Sequence, residues 1–449
     1  METQSLEMVL NEIRTALERD DYPAATKVLE GLLAPDKAEL FLELNEEEQS
    51  SLLPNLTPEH SAEIFEEIDD QRAAELAQIL TDDAVIKIVD EMDPDEAADL
   101  LGDIPPEMAQ TVLEGIEAPE DILPLMIYPD DSAGGLMTSE FLVLRRNTSA
   151  QDAIEAIRHW SPDSEMIYYL FVVDRDKKLC GVVSLRELIT ASPKSKVGEI
   201  MNPDALSVSL ETHQEEVARL LAHYDFLALP VVNSEGVLVG VVTVDDVIDV
   251  LEEESTEDIQ RFGGTEPLHR PYLDTPVLEM ARKRIGWLFL LFITATLTGS
   301  VMRLFEDELQ AVIALAIFVP LLIGTGGNAG SQTTAIIIRS LATEDITARE
   351  ALRVWWHEAR VGLLLGLGMS IAAYVRAITW DTSTSLAITV AISTLGIVLW
   401  ATGVGSLLPL LAARFGIDPA LVSGPVMSTL VDATGLLIYF TIAGYIIGI

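Results

Sequence analysis

Cysteine occurs once in 449 residues, at Cys180, which excludes a disulfide framework and a cysteine-based metal site. Histidine occurs six times, and neither a Ser/His/Asp grouping nor a Walker loop is present, so nothing in the chain points to an enzyme. Bases are also few: 28 Lys and Arg stand against 72 Asp and Glu, a formal net charge of −44. Such an excess of carboxylates repels nucleic acid and anionic lipid and attracts cations; a merely solvated acidic surface is the alternative. The opening METQSLEMVLNE lacks a basic stretch and an apolar core, so no signal peptide is expected and the first half is expected to stay cytoplasmic.

The charge is not spread evenly. Residues 281–449 carry 10 acids and 10 bases, which leaves 62 acids and 18 bases, the whole of the −44, to residues 1–280. A neutral apolar part follows an acidic one, and the whole-chain mean hydropathy of +0.30 is high for a soluble protein. A helix crosses the hydrocarbon core with about 20 mainly apolar residues. Five spans are predicted, at 284–304, 309–338, 358–379, 385–412 and 419–446. Arg282, Lys283 and Arg284 precede the first, Arg339, Arg349, Arg353 and Arg360 surround the second connection, and Arg414 lies in the fourth. Bases collect on the cytoplasmic side, so the N-terminus is expected inside and the C-terminus outside.

Two features of this part suggest a pathway. Pro320 and the run Gly324-Thr325-Gly326-Gly327-Asn328-Ala329-Gly330-Ser331-Gln332 are expected to interrupt the second span, and broken backbone at membrane depth belongs next to protein or water. Close helix packing through small residues is the other reading of the glycines. Asp432 is the only acid deep in the last span; a carboxylate there is costly and marks a functional candidate. One carboxylate with backbone oxygens suits a hard, strongly hydrated cation such as Mg²⁺.

In residues 1–130, Thr57-Pro58-Glu59 and Asp93-Pro94-Asp95 lie 36 positions apart, each a helix cap followed by proline. Asp93 and Glu96 have capping-box spacing, and Ala97, Leu100, Leu101 and Ile104 follow at helical intervals, so an α-superhelix of stacked helix pairs is predicted. Further on, Phe171-Val172-Val173-Asp174 and Cys180-Gly181-Val182-Val183-Ser184 are matched by Leu229-Pro230-Val231-Val232-Asn233 and Val239-Gly240-Val241-Val242-Thr243-Val244-Asp245-Asp246. This internal repeat of roughly 60 residues, one βαββα set each, resembles tandem CBS domains. In that family the Gly-Val-Val-Ser/Thr-x-x-Asp turn holds an adenosyl ribose. Thr243 and Asp246 keep the pattern while Ser184 is followed by Glu187, so adenine nucleotide (ATP) binding and a bare structural repeat both stay open. Five carboxylates then fall within Glu252–Asp258, on a connector to the first span that suits a gate; a solvated helix face is its alternative.

With these residues in hand, the chain resembles the MgtE magnesium transporter family over nearly its whole length. The strings that carry the resemblance are Asp131-Ser132-Ala133-Gly134-Gly135-Leu136-Met137-Thr138, Tyr224-Asp225-Phe226, Glu254-Ser255-Thr256-Glu257-Asp258-Ile259, the GTGGNAGSQ run, and Asp418-Pro419-Ala420 through to Asp432. The resemblance implies a multidomain, multi-pass protein of the cell membrane. Its parts would be a helical N domain at 1–130, CBS repeats at 131–198 and 199–256, a connecting plug helix at 257–280 and a five-helix transmembrane pore domain at 281–449. It also implies a Mg²⁺-selective channel or transporter for uptake, a homodimer in membrane lipid with the second and fifth spans lining the pore. Asp432 would bind the permeating ion, with Asn328 and glycine carbonyls along the path; Ser331 stands where some members carry a second asparagine. Intracellular Mg²⁺ would close the pore from acidic interfaces. The residues carried over for that role are Glu63, Asp95 and Asp99; Glu215, Asp225, Asp246 and Asp249; Glu254, Glu257 and Asp258; and Asp418. A membrane-tethered nucleotide sensor, and a chloride channel or other transporter bearing CBS domains, are the competing readings.

Overall fold

The computed structural model describes residues 3–160, 168–268, 272–273, 275–343, 345–422 and 424–448. The chain divides into two compact units, Met1–Glu253 and Glu254–Ile449.

The first unit opens with ten helices: α1 (Thr3–Leu17), α2 (Tyr22–Leu29), α3 (Ala34–Leu42), α4 (Glu46–Leu52), α5 (Pro58–Glu66), α6 (Asp70–Ala77), α7 (Asp82–Val89), α8 (Pro94–Asp103), α9 (Pro106–Gly115) and α10 (Pro119–Ile122). From α3 to α9 a helix starts every 12 residues (46 − 34, 58 − 46 and onward), and each packs on the helix two ahead: α3 on α5, α5 on α7, α7 on α9, α6 on α8. One superhelical repeat is thus two helices, 24 residues (58 − 34), and the 36-residue step between the proline caps spans three helices. Proline in the first turn starts α3, α5, α8 and α9, where its missing N–H costs nothing. The capping box expected at Asp93 and Glu96 does not form: the Asp93 side chain caps nothing. The Asp93 backbone N–H donates instead to Glu66 at 2.8 Å, from the preceding layer, so Glu96 has no donor to reach back to.

Two sheets follow. Strands β1 (Val143–Arg145), β2 (Tyr169–Val173) and β3 (Leu179–Ser184) form one, with helices α11 (Ala150–His159), α12 (Leu185–Thr190) and α13 (Val197–Ile200). Strands β4 (Val208–Ser209), β5 (Ala228–Val232) and β6 (Leu238–Thr243) form the other, with α14 (Gln214–Tyr224) and α15 (Val244–Phe262). Each pairs its first two strands parallel and its last two antiparallel, and β5 repeats β2 at a spacing of 59 (228 − 169), as the sequence repeat requires. The repeats exchange segments at their edges. Thr138 pairs with Val241 of the second repeat, and Asn202 pairs with Val182 of the first. Gly240 and Gly181 permit this: a Cβ on Gly240 would meet the Met137 side chain, and one on Gly181 the Asn202 backbone. Residues 132–138, drawn with the first repeat, therefore pack on the second.

Five helices of the second unit are long and apolar enough to cross a membrane: α16 (Val277–Leu304), α18 (Ala314–Ala342), α19 (Ala351–Thr379, with a 3-10 turn before it), α20 (Thr384–Arg414) and α21 (Gly424–Ile447), with the short α17 (Glu306–Ala311) after α16. Two expectations change here. Of the connecting helix drawn at 257–280, residues 257–262 are the end of α15, which stops at Phe262 before Gly263 and the left-handed Gly264 (φ 75°), and residues 269–271 and 274 lie outside the described residues. The second span is not interrupted: α18 runs unbroken through Pro320 and the glycine run. Its glycines serve packing. A Cβ on Gly326 would lie 2.8 Å from Val431 Cγ1, one on Gly330 2.9 Å from Met427 Cε, and one on Gly405 of α20 2.7 Å from the Gly330 carbonyl. Small residues let the three backbones approach, which is where helix association in lipid gains its contacts.

This packing predicts that Gly405→Val lowers the thermal unfolding midpoint of the detergent-solubilised chain, by an overpacking cost of about 1–3 kcal/mol. Gly299→Ala and Gly368→Ala, where a Cβ meets nothing within 4 Å, leave it unchanged or slightly raised. Equal midpoints for all three would show that the glycines do not set the helix spacing.

Candidate functional site

Helices α18 and α21 run antiparallel, and their register follows from named contacts. The Tyr439 hydroxyl donates to the Leu315 carbonyl at 3.1 Å, Gly326 faces Val431, Gly327 faces Ser428, and Gly330 faces Met427. At the next turn Ser331 Oγ donates to the Gly424 carbonyl at 3.1 Å and lies 3.4 Å from Ser428 Oγ. Asp432 follows Val431 on α21 and is half-buried; Asn328 follows Gly327 on α18 and is exposed. Both therefore sit within about a turn of the Gly327–Ser428 crossing. Among the described residues none forms a hydrogen bond or ion pair with Asp432. Ser331, at the position where an amide was the alternative, fastens the seam through its hydroxyl. Sequence reasoning passed over Glu358, an acid on α19 whose Oε2 accepts from buried Thr333 of α18 at 3.3 Å. Its place among the arginines of the second connection disguised it.

The second site is acidic and lies within the first unit. The N-terminal turns of α8 supply Asp93, Asp95, Glu96 and Asp99; α15 supplies Asp245, Asp246 and Asp249. The core of the helical domain is continuous with that of the second CBS repeat, and this brings the two sets together. Asp95 is only 9% exposed, and its Oδ1 has no hydrogen-bond partner. Burial first, then the charges of Asp246, Asp93 and Asp99, push its carboxyl well up, against a smaller lowering by a backbone hydrogen bond. Glu96 is pushed up to about 10 by burial and by Asp95, Asp99, Asp70 and Asp246. Asp99 rises to about 8 through burial and then Asp70, Asp130 and Asp103. Asp246 rises to about 6, mainly through burial, although Thr243 stabilises its charge: Thr243 Oγ1 donates to Oδ2 at 2.5 Å and Thr243 N at 3.3 Å. Asp249 is raised by burial and then by Glu252 and Asp245. Every one of these shifts disfavours the charged form.

The remaining sensor candidates are dispersed. Glu63 is ion-paired with Lys37, which is 1% exposed, and lies 3.0 Å from His60 Nδ1, so a tethered cation already serves it. Burial depresses the Lys37 ammonium, and Glu30 partly offsets this. Glu215 is exposed in the first turn of α14. Asp225 is the left-handed C-cap of that helix (φ 52°), flanked by the stacked rings of Tyr224 and Phe226 at 5.4 Å, which gives the Tyr-Asp-Phe string a turn-forming role. Glu254, Glu257 and Asp258 are half-buried on the later turns of α15. Asp418 caps the turn Pro419–Leu421, accepting from Ala420 N at 2.7 Å. Among the described residues no three His, Cys, Asp or Glu side chains enclose a single metal position. Hard oxygen donors on facing elements, with one buried oxygen unpartnered, suit an ion such as Mg²⁺ that keeps much of its water, and do not form a dehydrated cage.

The CBS pair holds a cavity of about 830 Å³ lined by Tyr168, Tyr169, Ser184, Arg186, Glu187 and Phe226 among others. Thr243 and Asp246 do not line it; residues of both repeats do, and Glu187 of the first is the N3 partner of a capping box, accepting from Ser184 N and Oγ at 2.8 Å each. A smaller cavity of about 400 Å³ is bordered by Leu227, Val244 and Asp245.

Comparison with known proteins gives a consistent result. Residues 319–442 match the family described as MgtE, divalent cation transporter; residues 33–131 match the MgtE intracellular N domain; 133–194 and 197–253 each match the CBS domain. The chain is 48% identical over 316 residues, 70% of its own length and 70% of the relative's, to Magnesium transporter MgtE of Thermus thermophilus. It is 38% identical over 333 residues, 74% of its length and 73% of the relative's, to Magnesium transporter MgtE of Bacillus subtilis. Among solved structures it is similar to the cytosolic domain of the Mg²⁺ channel MgtE in complex with ATP, with a TM-score of 0.52 and 38% identity over 54% of this chain and 99% of that one. It is similar also to the soluble part of a magnesium transporter, with a TM-score of 0.52 and 29% identity over 56% and 99%.

The acidic site generates a pH prediction. Asp99 ionises at about 8 in the folded chain against an ordinary 3.8, so its charge opposes folding. As far as this group is concerned, stability is greatest below about pH 4 and falls as pH rises to about 8. Asp99→Asn should raise the metal-free unfolding midpoint at pH 8, by about 2–4 °C for each kcal/mol of repulsion removed, and raise it distinctly less at pH 5. Millimolar Mg²⁺ should shrink the difference. A midpoint shift of equal size at both pH values would contradict this electrostatic origin.

Proposed function

Because the chain belongs to the MgtE family of magnesium transporters, we propose that it is a Mg²⁺-selective channel or transporter for uptake, closed by intracellular Mg²⁺ bound at its acidic cytosolic faces. The observation that carries the transport reading is the half-buried carboxylate of Asp432, beside the α18–α21 seam and without a protein partner among the described residues. A carboxylate at that depth needs a counter-charge or water, and a permeating cation is both wanted and transient there. Asn328, one residue from the glycine crossing, and the carbonyls of the seam are the oxygens proposed to hold the hydration shell of the ion. The proposed working unit is a homodimer in membrane lipid, in which a second α18–α21 pair completes the path; the exposed apolar faces of α16 and α19 suit burial against lipid or a second copy. Arg339 at the end of α18, Arg349, Arg353 and Arg360 at the start of α19 and Arg414 at the end of α20 support a cytoplasmic N-terminus and an outer C-terminus.

Regulation is proposed to rest on the facing acids of α8 and α15. Asp95, Asp99, Asp246 and Asp249 repel one another when bare, so an ion that binds the assembled faces better than the separated ones shifts the population towards closure. Glu215, Asp225, Glu254, Glu257, Asp258 and Asp418 are proposed as further contributors, and Glu63 acts there only after release from Lys37. The proposed division is a helical N domain at 1–130, CBS repeats at 131–198 and 199–256, and a pore domain at 281–449, with the second half of α15 as connector. Adenine nucleotide, ATP in the first instance, is the ligand proposed for the larger CBS cavity: Tyr169 and Phe226 offer surfaces for a base, and Arg186 a charge for phosphate. Its acids are Glu187 and Asp204, so the ribose contact is proposed for one of these and not for Thr243 and Asp246.

Mg²⁺ uptake into proteoliposomes tests the reading. Asp432→Ala is expected to cut uptake at least about tenfold, the equivalent of 1.4 kcal/mol, with the oligomeric state and unfolding midpoint of the parent chain kept. Undiminished Mg²⁺ flux through that variant would overturn the assignment of the pathway.

A further inference from the structure

Two side-chain-to-backbone hydrogen bonds tie α18 to α21, and Asp432 lies midway between them. At one end Ser331 donates to the Gly424 carbonyl, eight residues before Asp432. At the other, seven residues after it, the Tyr439 hydroxyl donates to the Leu315 carbonyl in the first turn of α18. Tyr439 is the largest fully buried side chain among the described residues. A buried phenol without a partner would be costly, so this bond fixes where the ring can sit. Pro320 follows Leu315 by five residues and has no N–H, which leaves α18 one backbone bond short at the Ala316 carbonyl, beside the acceptor that Tyr439 uses. The adjoining Phe440 stacks on Phe305, the C-cap of α16, at 5.1 Å. This part of α21 is thereby held on two sides.

Seven residues make nearly two full turns, so Tyr439 and Asp432 project from the same side of α21, about 10 Å apart along its axis. The register between the Tyr439–Leu315 and Val431–Gly326 contacts puts Asp432 at the level of Gly324. There α18 leaves room: a Cβ on Gly324 would meet nothing within 4 Å, and Gly324 and Asn328, one turn apart, are both exposed. We propose that Tyr439 is a positioning residue for transport: its hydroxyl sets the spacing of α21 against α18 at the level of Asp432, and with it the affinity of the pathway for a divalent cation. A cation that keeps its inner water shell meets its site at a fixed distance, so a small change in helix spacing costs binding even when the carboxylate is intact. Tyr439 acts through Asp432 and not on the ion, so this role rests on the transport reading above.

The test is Mg²⁺ uptake by the full chain in proteoliposomes, with external Mg²⁺ varied and the lumen kept Mg²⁺-free by EDTA. Tyr439→Phe keeps the buried ring and removes only the hydroxyl. It is expected to raise the half-saturating Mg²⁺ concentration about three- to tenfold, the span of one ordinary hydrogen bond, while the maximal rate changes by less than about twofold. Trp400→Phe is the comparison. It removes the bond from Trp400 Nε1 to Thr434 Oγ1 at 2.9 Å, which joins α21 to α20 and not to α18, and is expected to keep the half-saturation of the parent chain. An unchanged half-saturation in Tyr439→Phe would overturn the proposal, whatever its unfolding midpoint. An equal shift in Trp400→Phe would overturn it too, because the bundle would then be loosening as a whole. Asp432→Ala, run alongside, separates the two readings. If that variant is silent and Tyr439→Phe matches the parent, the positioning role alone is refuted; if Asp432→Ala transports normally, the pathway is refuted and the positioning role with it.

Discussion

Holding a carboxylate out of water without an opposing charge is expensive, and this cost organises the protein from end to end. Two answers to it are visible. At Glu63, and again at Glu257 and Asp418, the chain supplies its own cation, Lys37 or Arg261. At Asp95, Glu96, Asp99 and Asp246 it supplies none, and packing raises each carboxyl towards its neutral form. Asp432 poses the same demand inside the apolar bundle. A protein with 72 acids and 28 bases cannot pair its acids internally, and on the proposed reading the deficit is met by the ion it transports.

The architecture places these demands in useful positions. A superhelix with a 12-residue helix step sets the N-terminal turn of α8 among the acids of α15, through a core shared with the second CBS repeat. The glycines of α18 and α20 bring α18, α20 and α21 close enough that Asp432 follows directly on a tightly packed residue, Val431. Both arrangements depend on what side chains leave out: a missing partner in one, a missing Cβ in the other.

Much of this was legible in the sequence, because periodicity and charge segregation are properties of short stretches. The five spans, the βαββα repeat and the lone acid of the last span all follow from local pattern, whereas the two compact units divide at Glu253 and not near the charge boundary at 280. The glycine run was misleading as a break, because a string of glycines has the same composition whether it opens a helix or lets another helix approach; only Val431, Met427 and Gly405, distant in sequence, decide between them. The proline caps did point to the superhelix, although their 36-residue step spans three helices, since prolines mark only some of the helix starts. The capping box at Asp93 failed because Glu66, 27 residues earlier, takes the donor first. The pairing of Glu63 with Lys37, and of Asp418 with Arg261, is likewise tertiary, so acids of identical type could not be sorted into served and unserved. The nucleotide motif pointed to Thr243 and Asp246, whereas the larger cavity opens on Ser184 and Glu187, because each repeat lends residues to the edge of the other.

The central claim is that unserved carboxylates in the cytosolic half read Mg²⁺ and thereby govern a Mg²⁺ path through the bilayer. Single-channel recording with Mg²⁺ varied on the cytosolic face alone addresses it most directly. The account predicts an open probability that falls as cytosolic Mg²⁺ rises, with that dependence weakened in Asp95→Asn while unitary Mg²⁺ current is unchanged. Openings that ignore cytosolic Mg²⁺, or keep their full Mg²⁺ dependence without the Asp95 charge, would contradict it.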